Sequence, residues 1–294
     1  MNKIETFCSA GIIEPEQLKE LLESGSAVRV LDATFVLPGS DVDPQKVFAA
    51  KRIGDAAFFD VHEIADKDCA LPHMLPSPEE FAVAVSALGI SNDDFVIVYA
   101  QHGMVMGPAR AWWMFRVFGH DRVCVLNGGL PAWEAAGLEI HTGAPVGSAP
   151  SSQPFKADFR ADLVADINKM QELSECGAQI YDARPMARFS GEATEPRAGM
   201  RSGHIPGSSC VPASSLVDGE SGKMKPLDVL QRIFDESGLD RSQPIHATCG
   251  SGVTACMLAL ALFALGSKDV VVYDGSWSEW GCESQSTPVK KSIP

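Results

Sequence analysis

Short apolar and β-branched runs alternate along the whole chain with longer segments of helical hydrophobic period. Three such runs in the first half are AVRVLDA (27–33), DFVIVYA (94–100) and RVCVLNG (122–128). Runs of this length between polar or glycine positions predict buried strands, because a strand covered on both faces has no polar side. Strands that alternate with helices are typical of a mostly parallel sheet flanked by helices. We therefore predict an α/β fold.

The segments between the strands carry the start and stop signals of helices. SPEEFAVAVSALG places Ser77 at the N-cap, Glu80 three residues later and Gly89 after the last apolar position, which predicts a capped helix. RAWWMFRVFG (110–119) predicts a second helix. The second half repeats this arrangement in PLDVLQRIFDESG and TACMLALALFALG. The last segment is apolar on every side and predicts a buried helix.

The chain contains an internal repeat with an offset of about 150 residues. VLDA (30–33) matches IYDA (180–183), and VIVYA (96–100) matches IHATC (245–249). RIGDAAFF matches HIPGSSCV, and LNGGLPAWEAAG matches YDGSWSEWG. Four matches at nearly one offset predict two related domains, since each unit is too long for a solenoid repeat.

We predict a first domain over residues 1–142, a linker over residues 143–158 and a second domain over residues 159–294. The linker prediction depends on a stretch rich in Gly, Pro, Ser and Ala that shows no hydrophobic period. In an open parallel sheet, ligands bind at the carboxyl ends of the strands. The loops that follow the strands are therefore the places to look for chemistry.

Charge and cysteine content narrow the functional class. The formal net charge of −14 argues against a nucleic-acid partner, which requires a basic face. The eight cysteines are scattered without CxxC spacing, which indicates neither a zinc site nor a disulfide framework and favours a reducing compartment. The longest apolar run, residues 255–265, is too short to cross a bilayer, and no signal-peptide pattern occurs. We expect a cytoplasmic protein, with the mitochondrial matrix as the alternative, and no metal, cofactor or membrane partner.

ATCGSGVTA (247–255) joins a predicted strand to the predicted buried helix. A strand, a tight glycine-containing loop and a helix N-terminus form an anion site, because backbone amides converge there and the helix dipole adds positive charge. A thiol at this point is stabilised as the thiolate, so Cys249 is a candidate nucleophile. A buried structural cysteine is the alternative that these residues leave open, and it is what we expect of Cys124, Cys210 and Cys256.

The loop after Cys249 is predicted to form the anion cradle. Its members are Gly250, Ser251, Gly252, Val253 and Thr254. The two glycines lack a Cβ and let the backbone curl closely around the sulfur. A cysteine phosphatase would need an arginine at position 255 to grip phosphate oxygens, and this position is Ala255. The loop therefore suits a thiolate or a persulfide better than a phosphate.

CGSGVTA (249–255), the two-domain repeat and YDGSWSEWG (273–281) occur together with RAWWMFRVFG, EPRAG and GHIPG. In this combination the chain resembles the 3-mercaptopyruvate sulfurtransferases of the rhodanese superfamily. The resemblance implies two tandem rhodanese-like domains, each a mostly parallel sheet flanked by helices. It also implies that only the second domain keeps the reactive cysteine. The repeat places Ala100 opposite Cys249, so the first domain is expected to be catalytically silent.

The resemblance implies covalent sulfur transfer. Cys249 would take the sulfur of 3-mercaptopyruvate as a persulfide, release pyruvate, and pass the sulfur to a thiol such as that of thioredoxin, or to cyanide. Arg188 and Arg197 fall at the substrate-binding positions for this small anion. Arg184 and Arg201, in the same segment, stay open between substrate contact and structural pairing.

Two alternatives to this function stay open. A thiosulfate sulfurtransferase typically carries a basic residue directly after the cysteine, and Gly250 argues against it. A non-catalytic persulfide relay or binding module would carry sulfur on Cys249 without releasing pyruvate.

The resemblance further implies a proton relay from Ser251 through His73 to an acid in the first domain. The family usually has that acid two positions after the Asp of FFD, and here the position is His62. The candidate substitutes are Asp60, Glu63 and Asp66.

Overall fold

The computed structural model describes residues 3–37, 39–103, 105–143 and 153–291. Its contacts divide the chain into two compact units. The first comprises Met1–Asp66, Leu75–Arg160 and Asp218–Met224, and the second comprises Lys67–Met74, Ala161–Val217 and Lys225–Pro294. Part of the linker predicted over 143–158 lies outside the described residues, and the predicted domain bounds stay a prediction.

The first unit contains a parallel sheet. Its strands in the described residues are β1 (Ile12–Ile13), β2 (Val28–Asp32), β3 (Ala57–Phe58), β4 (Phe95–Tyr99) and β5 (Val123–Leu126). Their spatial order is β1-β5-β4-β2-β3, and every neighbouring pair is parallel. All residues of β4 and β5 are buried, which explains their uninterrupted apolar sequence.

Helices connect these strands. They are α1 (Lys3–Ala10), α2 (Pro15–Glu23), α3 (Pro44–Ala50), α4 (Pro78–Ala87), α5 (Met106–Val117) and α6 (Gly129–Ala135). The predicted cap of α4 is confirmed: the Glu80 amide donates to Ser77 Oγ at 3.2 Å, and the Ser77 amide donates to Glu80 Oε2 at 2.8 Å. The helix predicted from residue 110 begins earlier, at Met106.

Residues 218–224 belong to the first unit although the second half of the chain contributes them. Lys223 Nζ lies 2.9 Å from Glu14 Oε2, and the Met224 amide donates to Asn127 Oδ1 at 2.8 Å. These two bonds fix the segment beside α2 and the end of β5.

The second unit contains a parallel sheet of the same topology. Its strands in the described residues are β6 (Val164–Ala165), β7 (Gln179–Asp182), β8 (Ser209–Cys210), β9 (Ile245–Thr248) and β10 (Val271–Tyr273). Their order is β6-β10-β9-β7-β8, strand for strand the order of the first unit. The helices are α7 (Ile167–Glu175), α8 (Met186–Ser190), α9 (Leu227–Glu236), α10 (Ala255–Ala264) and α11 (Ser276–Trp280). The predicted α/β class with parallel sheets is confirmed.

The helix predicted to be buried, α10, is buried from Ala255 to Phe263. Its side chains are alanine, leucine and other apolar groups, so it can pack on every side without stranding a polar group. Cys124 and Cys256 are buried as expected, whereas Cys210 is only half-buried and differs from its predicted core position. Among the described residues, no helix has the length and apolar character needed to span a membrane.

Gly107 in α5 allows the helix to approach β2 closely. A Cβ at this position would overlap the carbonyl oxygen of Ala33 and lie 2.8 Å from Cβ of Phe35. We expect Gly107→Ala to lower the free energy of unfolding by about 1–3 kcal/mol, since it overpacks a buried contact. Gly219→Ala is the matched control, because a Cβ there meets no atom within 4 Å. Urea denaturation checks this, and equal midpoints for the two variants would contradict it.

Candidate active site in the second unit

Cys249 follows the last residue of β9 and is 1% exposed, so its sulfur lies at the bottom of the loop rather than on the surface. Its amide donates to Ser276 Oγ at 3.1 Å, and its carbonyl oxygen accepts from the Trp277 amide at 2.9 Å. The Ser278 amide donates to Gly250 O at 2.9 Å. The first residues of α11 therefore hold the backbone of the cysteine loop in place.

The loop after Cys249 presents backbone amides that the protein does not use. Within the described residues, the amide nitrogens of Gly250, Ser251, Val253 and Thr254 donate to no other protein group. Gly252, at φ +74°, makes the left-handed turn that a residue with a Cβ rarely adopts. Helix α10 begins at the end of this loop. Unused amides beside a helix N-terminus are groups that can bind an anion, and the anion cradle around Cys249 stays a prediction.

Ser276 stands against Cys249 in a backbone conformation that is unusual for serine. Its φ is +49°, and the residue is fully buried. Its hydroxyl donates to Tyr273 O at 2.8 Å and lies 4.0 Å from Cys249 Sγ. The prediction from sequence missed this residue. The repeat contained the signal, because Ser276 corresponds to Gly129, whose φ is +57°.

Arg184 is a structural residue. It is buried, donates to Asp182 Oδ2 at 2.7 Å and to Glu195 Oε1 at 2.8 Å, and stacks over the Trp277 ring at 4.2 Å. Arg201 is also engaged, since it donates to the carbonyl oxygens of Trp280 and Thr287 at 2.6 and 2.7 Å. These contacts decide the open question for both residues in favour of structural pairing.

Arg188 is partly exposed and is held by Glu195. The Arg188 Nε donates to Glu195 Oε1 at 3.2 Å, and its Nη2 pairs with Glu195 Oε2. The Arg188 Nη2 lies 3.2 Å from the place where a Cβ on residue 250 would stand. Gly250 therefore leaves space for this guanidinium beside the cysteine loop.

Arg197 lies near Cys249 and forms no salt bridge within the described residues. Its Nη1 donates to Ser278 Oγ at 3.2 Å, and Ser278 Oγ donates to Gly250 O at 2.6 Å. Burial and, next, the Arg188 cation lower the pKa of Arg197, while Cys249 and Glu195 act in the opposite direction. The salt bridges of the described residues give Glu195 to Arg184 and Arg188, and give no carboxylate to Arg197.

The structure gives fewer contacts for the predicted proton relay than for the cysteine loop. Ser251 is half-buried at the start of the loop, and His73 is half-buried with a left-handed φ of 64°. His73 belongs to the segment Lys67–Met74, which groups with the second unit. The relay through these two side chains stays a prediction.

The three candidate acids for that relay fall in the first unit. Asp60 Oδ1 accepts from the amides of His62 at 2.9 Å and Glu63 at 3.3 Å, so this carboxylate caps its own turn. The ring of His62, at the position where an acid was expected, stacks on Phe35 at 4.8 Å. Glu63 is exposed and Asp66 is half-buried.

The first unit repeats the backbone frame of this site without the thiol. Ala100 follows β4 as Cys249 follows β9, and its carbonyl oxygen accepts from the Leu130 amide at 2.9 Å. Leu130 corresponds in the repeat to Trp277, which donates to Cys249 O. In the described part of the chain, no three His, Cys, Asp or Glu side chains gather as a metal site requires.

A parallel sheet whose central strand leads through a cysteine loop into a buried helix, in a chain that contains this sheet twice, defines a protein with tandem rhodanese-like domains. The rhodanese-like domain family matches residues 14–136 and 166–282, and the chain belongs to this family. The resemblance drawn from the motifs is thereby confirmed.

Individual members of this family are similar to the chain over most of its length. The chain is 42% identical over 259 residues to 3-mercaptopyruvate sulfurtransferase from Escherichia coli strain K12, covering 87% of this chain and 90% of the relative. It is 41% identical over 275 residues to the mitochondrial thiosulfate/3-mercaptopyruvate sulfurtransferase 1 of Arabidopsis thaliana, covering 87% and 72%. The crystal structure of SseA from Escherichia coli, described as a 3-mercaptopyruvate sulfotransferase, superposes with a TM-score of 0.81 at 38% identity, covering 92% and 100%.

Because Arg197 lies near Cys249 and forms no salt bridge within the described residues, it should attract anionic reagents to the thiol. We expect Arg197→Ala to slow the alkylation of Cys249 by iodoacetate, relative to neutral iodoacetamide, by about fivefold. Arg188→Ala should change this ratio less, since Glu195 already neutralises Arg188. Arg232→Ala is the matched control on an exposed helix face. Peptide mapping of Cys249 gives the rates, and a larger effect at Arg188 than at Arg197 would contradict the assignment.

Proposed function

We propose that the protein is a 3-mercaptopyruvate sulfurtransferase with Cys249 as its nucleophile. The Cys249 thiolate attacks the sulfur of 3-mercaptopyruvate, so a sulfur–sulfur bond forms as the carbon–sulfur bond breaks. The pair of electrons leaves with the carbon as the enolate of pyruvate, which takes up a proton. A thiol acceptor then removes the outer sulfur and restores Cys249. The observation that carries the proposal is the set of unused loop amides around Cys249 together with the Arg197 cation beside it.

The cradle explains why sulfur chemistry is favoured over other reactions of a thiol. Both the thiolate and the persulfide are anionic sulfur groups that backbone amides and a helix N-terminus stabilise. The loop has no arginine of its own, because position 255 is Ala255. A phosphate would therefore lack its bidentate partner, whereas one sulfur anion is satisfied by the amides.

The substrate carboxylate and keto oxygen need cationic donors, and Arg197 and Arg188 are the residues we propose for them. Arg197 has no competing carboxylate in the described structure, so it supplies the stronger attraction. Arg188 is fixed by Glu195 and directs its remaining donors along the loop at Gly250. Arg184 and Arg201 are already occupied by protein groups and are not substrate ligands in this proposal.

The first unit is proposed to be catalytically silent, since Ala100 stands where the second unit has Cys249. The acceptor is proposed to be a protein thiol of the thioredoxin kind, with cyanide as an assay substitute. No cofactor, metal, nucleic acid or membrane enters the proposal. The cytoplasm is the proposed location and the mitochondrial matrix is the alternative, in keeping with the scattered cysteines.

A thiosulfate sulfurtransferase is the second candidate, because the Arabidopsis relative has both donors in its name. The Gly250–Ser251 pair at the cysteine favours mercaptopyruvate, since no basic side chain follows the nucleophile.

One assay tests this function directly. With 3-mercaptopyruvate and a thiol acceptor, we expect pyruvate release and, without the acceptor, a gain of about 32 Da on the tryptic peptide 242–268. Cys249→Ser should abolish both signals, and Cys176→Ser, which changes an exposed cysteine, should retain them. Fragmentation of the peptide assigns the added sulfur to Cys249 or to Cys256.

Other outcomes of this assay point elsewhere. Faster turnover with thiosulfate than with mercaptopyruvate would replace the proposal with the second candidate. Persulfide on Cys249 without pyruvate would indicate a relay module, and turnover by Cys249→Ser would place the nucleophile at another residue.

We also propose that Ser251 and His73 deliver the proton that the pyruvate enolate needs. We expect His73→Ala to lower kcat by about 10²-fold or more and to remove one limb of the pH–rate profile, because the general acid is lost. His73→Gln, which keeps a polar side chain, should show the same flattened profile. An unchanged profile in both variants would remove His73 from the mechanism.

A further inference from the structure

Helix α1 lies against strand β5 in the first unit, and each of the two elements contributes a cysteine. The chain leaves α1 at Ala10 and enters β1 at Ile12, which pairs in parallel with Val125 of β5. The Gly11 carbonyl oxygen accepts from the Val125 amide at 2.9 Å. This register fixes the last turn of α1 beside Cys124.

Cys8 and Cys124 are neighbours where α1 packs on β5. Cys124 Sγ lies 3.2 Å from Phe7 O, the carbonyl that joins directly to the Cys8 amide. The Phe7 carbonyl oxygen also accepts from the Gly11 amide at 3.0 Å, so its position is fixed by the helix end. Phe7 and Cys8 pack against the apolar core that contains Cys124. We propose that Cys8 and Cys124 are a thiol pair that oxidises to a disulfide and fastens α1 to β5.

The two sulfurs have different environments, which suits a stepwise reaction. Cys8 is half-buried and Cys124 is buried. The Cys124 thiol and the Arg122 cation lower the pKa of Cys8, although burial and Asp121 oppose them. Burial raises the pKa of Cys124 well above its ordinary value. Cys8 is therefore the attacking thiolate and Cys124 the resolving thiol.

The oxidant that balances the step is a hydroperoxide. The Cys8 thiolate displaces hydroxide or alkoxide from the peroxide oxygen and becomes a sulfenic acid. The Cys124 sulfur then attacks the Cys8 sulfur, the sulfur–sulfur bond forms, and the hydroxyl leaves as water with the thiol proton. Overall two thiols lose two electrons and one peroxide bond is reduced. Neither sulfur belongs to the proposed sulfur-transfer site, so the reaction is independent of Cys249.

The expected consequence is a more stable first unit. The bond would close the loop from residue 8 to residue 124, which includes the strands β1, β2, β3 and β4 and the first residues of β5. A cross-link over a loop of this length removes conformational freedom from the unfolded chain. Oxidation should therefore raise the thermal midpoint, and a reducing agent should return it.

The experiment treats the full-length protein with equimolar hydrogen peroxide, blocks free thiols, and maps tryptic peptides. We expect peptides 4–19 and 123–156 to appear joined, with a loss of about 2 Da that dithiothreitol reverses. Cys8→Ser should lose the joined peptide and the rise in thermal midpoint, and Cys176→Ser should keep both.

The substitutions of the pair are confined to Cys8, because Cys124 is buried and its replacement can disturb the core. Cys8→Ala changes only the half-buried partner, so a folded Cys8→Ala protein without the cross-link supports the pair. The proposal is overturned if both cysteines of the oxidised wild-type protein remain open to alkylation. Joining of either one to a different cysteine would overturn it equally.

Discussion

The geometry of the candidate site depends on the ion pairs that the Glu195 carboxylate forms. Its side chain is only 4% exposed and is shared by Arg184 and Arg188. A buried carboxylate with two guanidinium partners is stable because each charge is paired and hydrogen-bonded. Removal of one partner from such a pair typically costs about 3–5 kcal/mol, since it leaves a buried charge uncompensated. Glu195 therefore determines where Arg188 stands beside the Cys249 loop.

Arg184, Arg188 and Arg197 differ in how many of their donors this ion network occupies. Arg184 uses its donors on Asp182, Glu195 and the backbone, so it supports the sheet end from within. Arg188 gives part of its fork to Glu195 and keeps the rest near Gly250. Arg197 donates to a serine hydroxyl and forms no salt bridge within the described residues. The arginines of this one segment thus differ in how many of their donors are already bonded to protein groups.

The sequence predicted the parallel α/β class, the capped helix α4 and the buried helix α10, because local patterns determine them. Hydrophobic period and capping residues act within one turn or one strand. The role of Ser276 and the particular partners of Glu195 were not accessible in this way. Ser276 contacts Cys249 across the ends of two strands, and Glu195 reaches Arg184 from a loop. Such contacts follow from tertiary packing, and for Ser276 only its match with Gly129 in the repeat could have indicated it.

The two units share one sheet topology but differ in the side chains that surround a buried aspartate. Asp32 and Asp182 occupy the same place at the ends of β2 and β7. Asp32 is hydrogen-bonded by the neutral side chains of Thr34 and Gln101, and burial raises the pKa of its carboxyl. Asp182 instead pairs with a guanidinium, Arg184, from the position that Thr34 holds in the first unit. A neutral lining is sufficient to build the fold, because the first unit has one. Arg184 therefore adds an ion pair with Glu195 that the neutral Thr34 of the first unit cannot make.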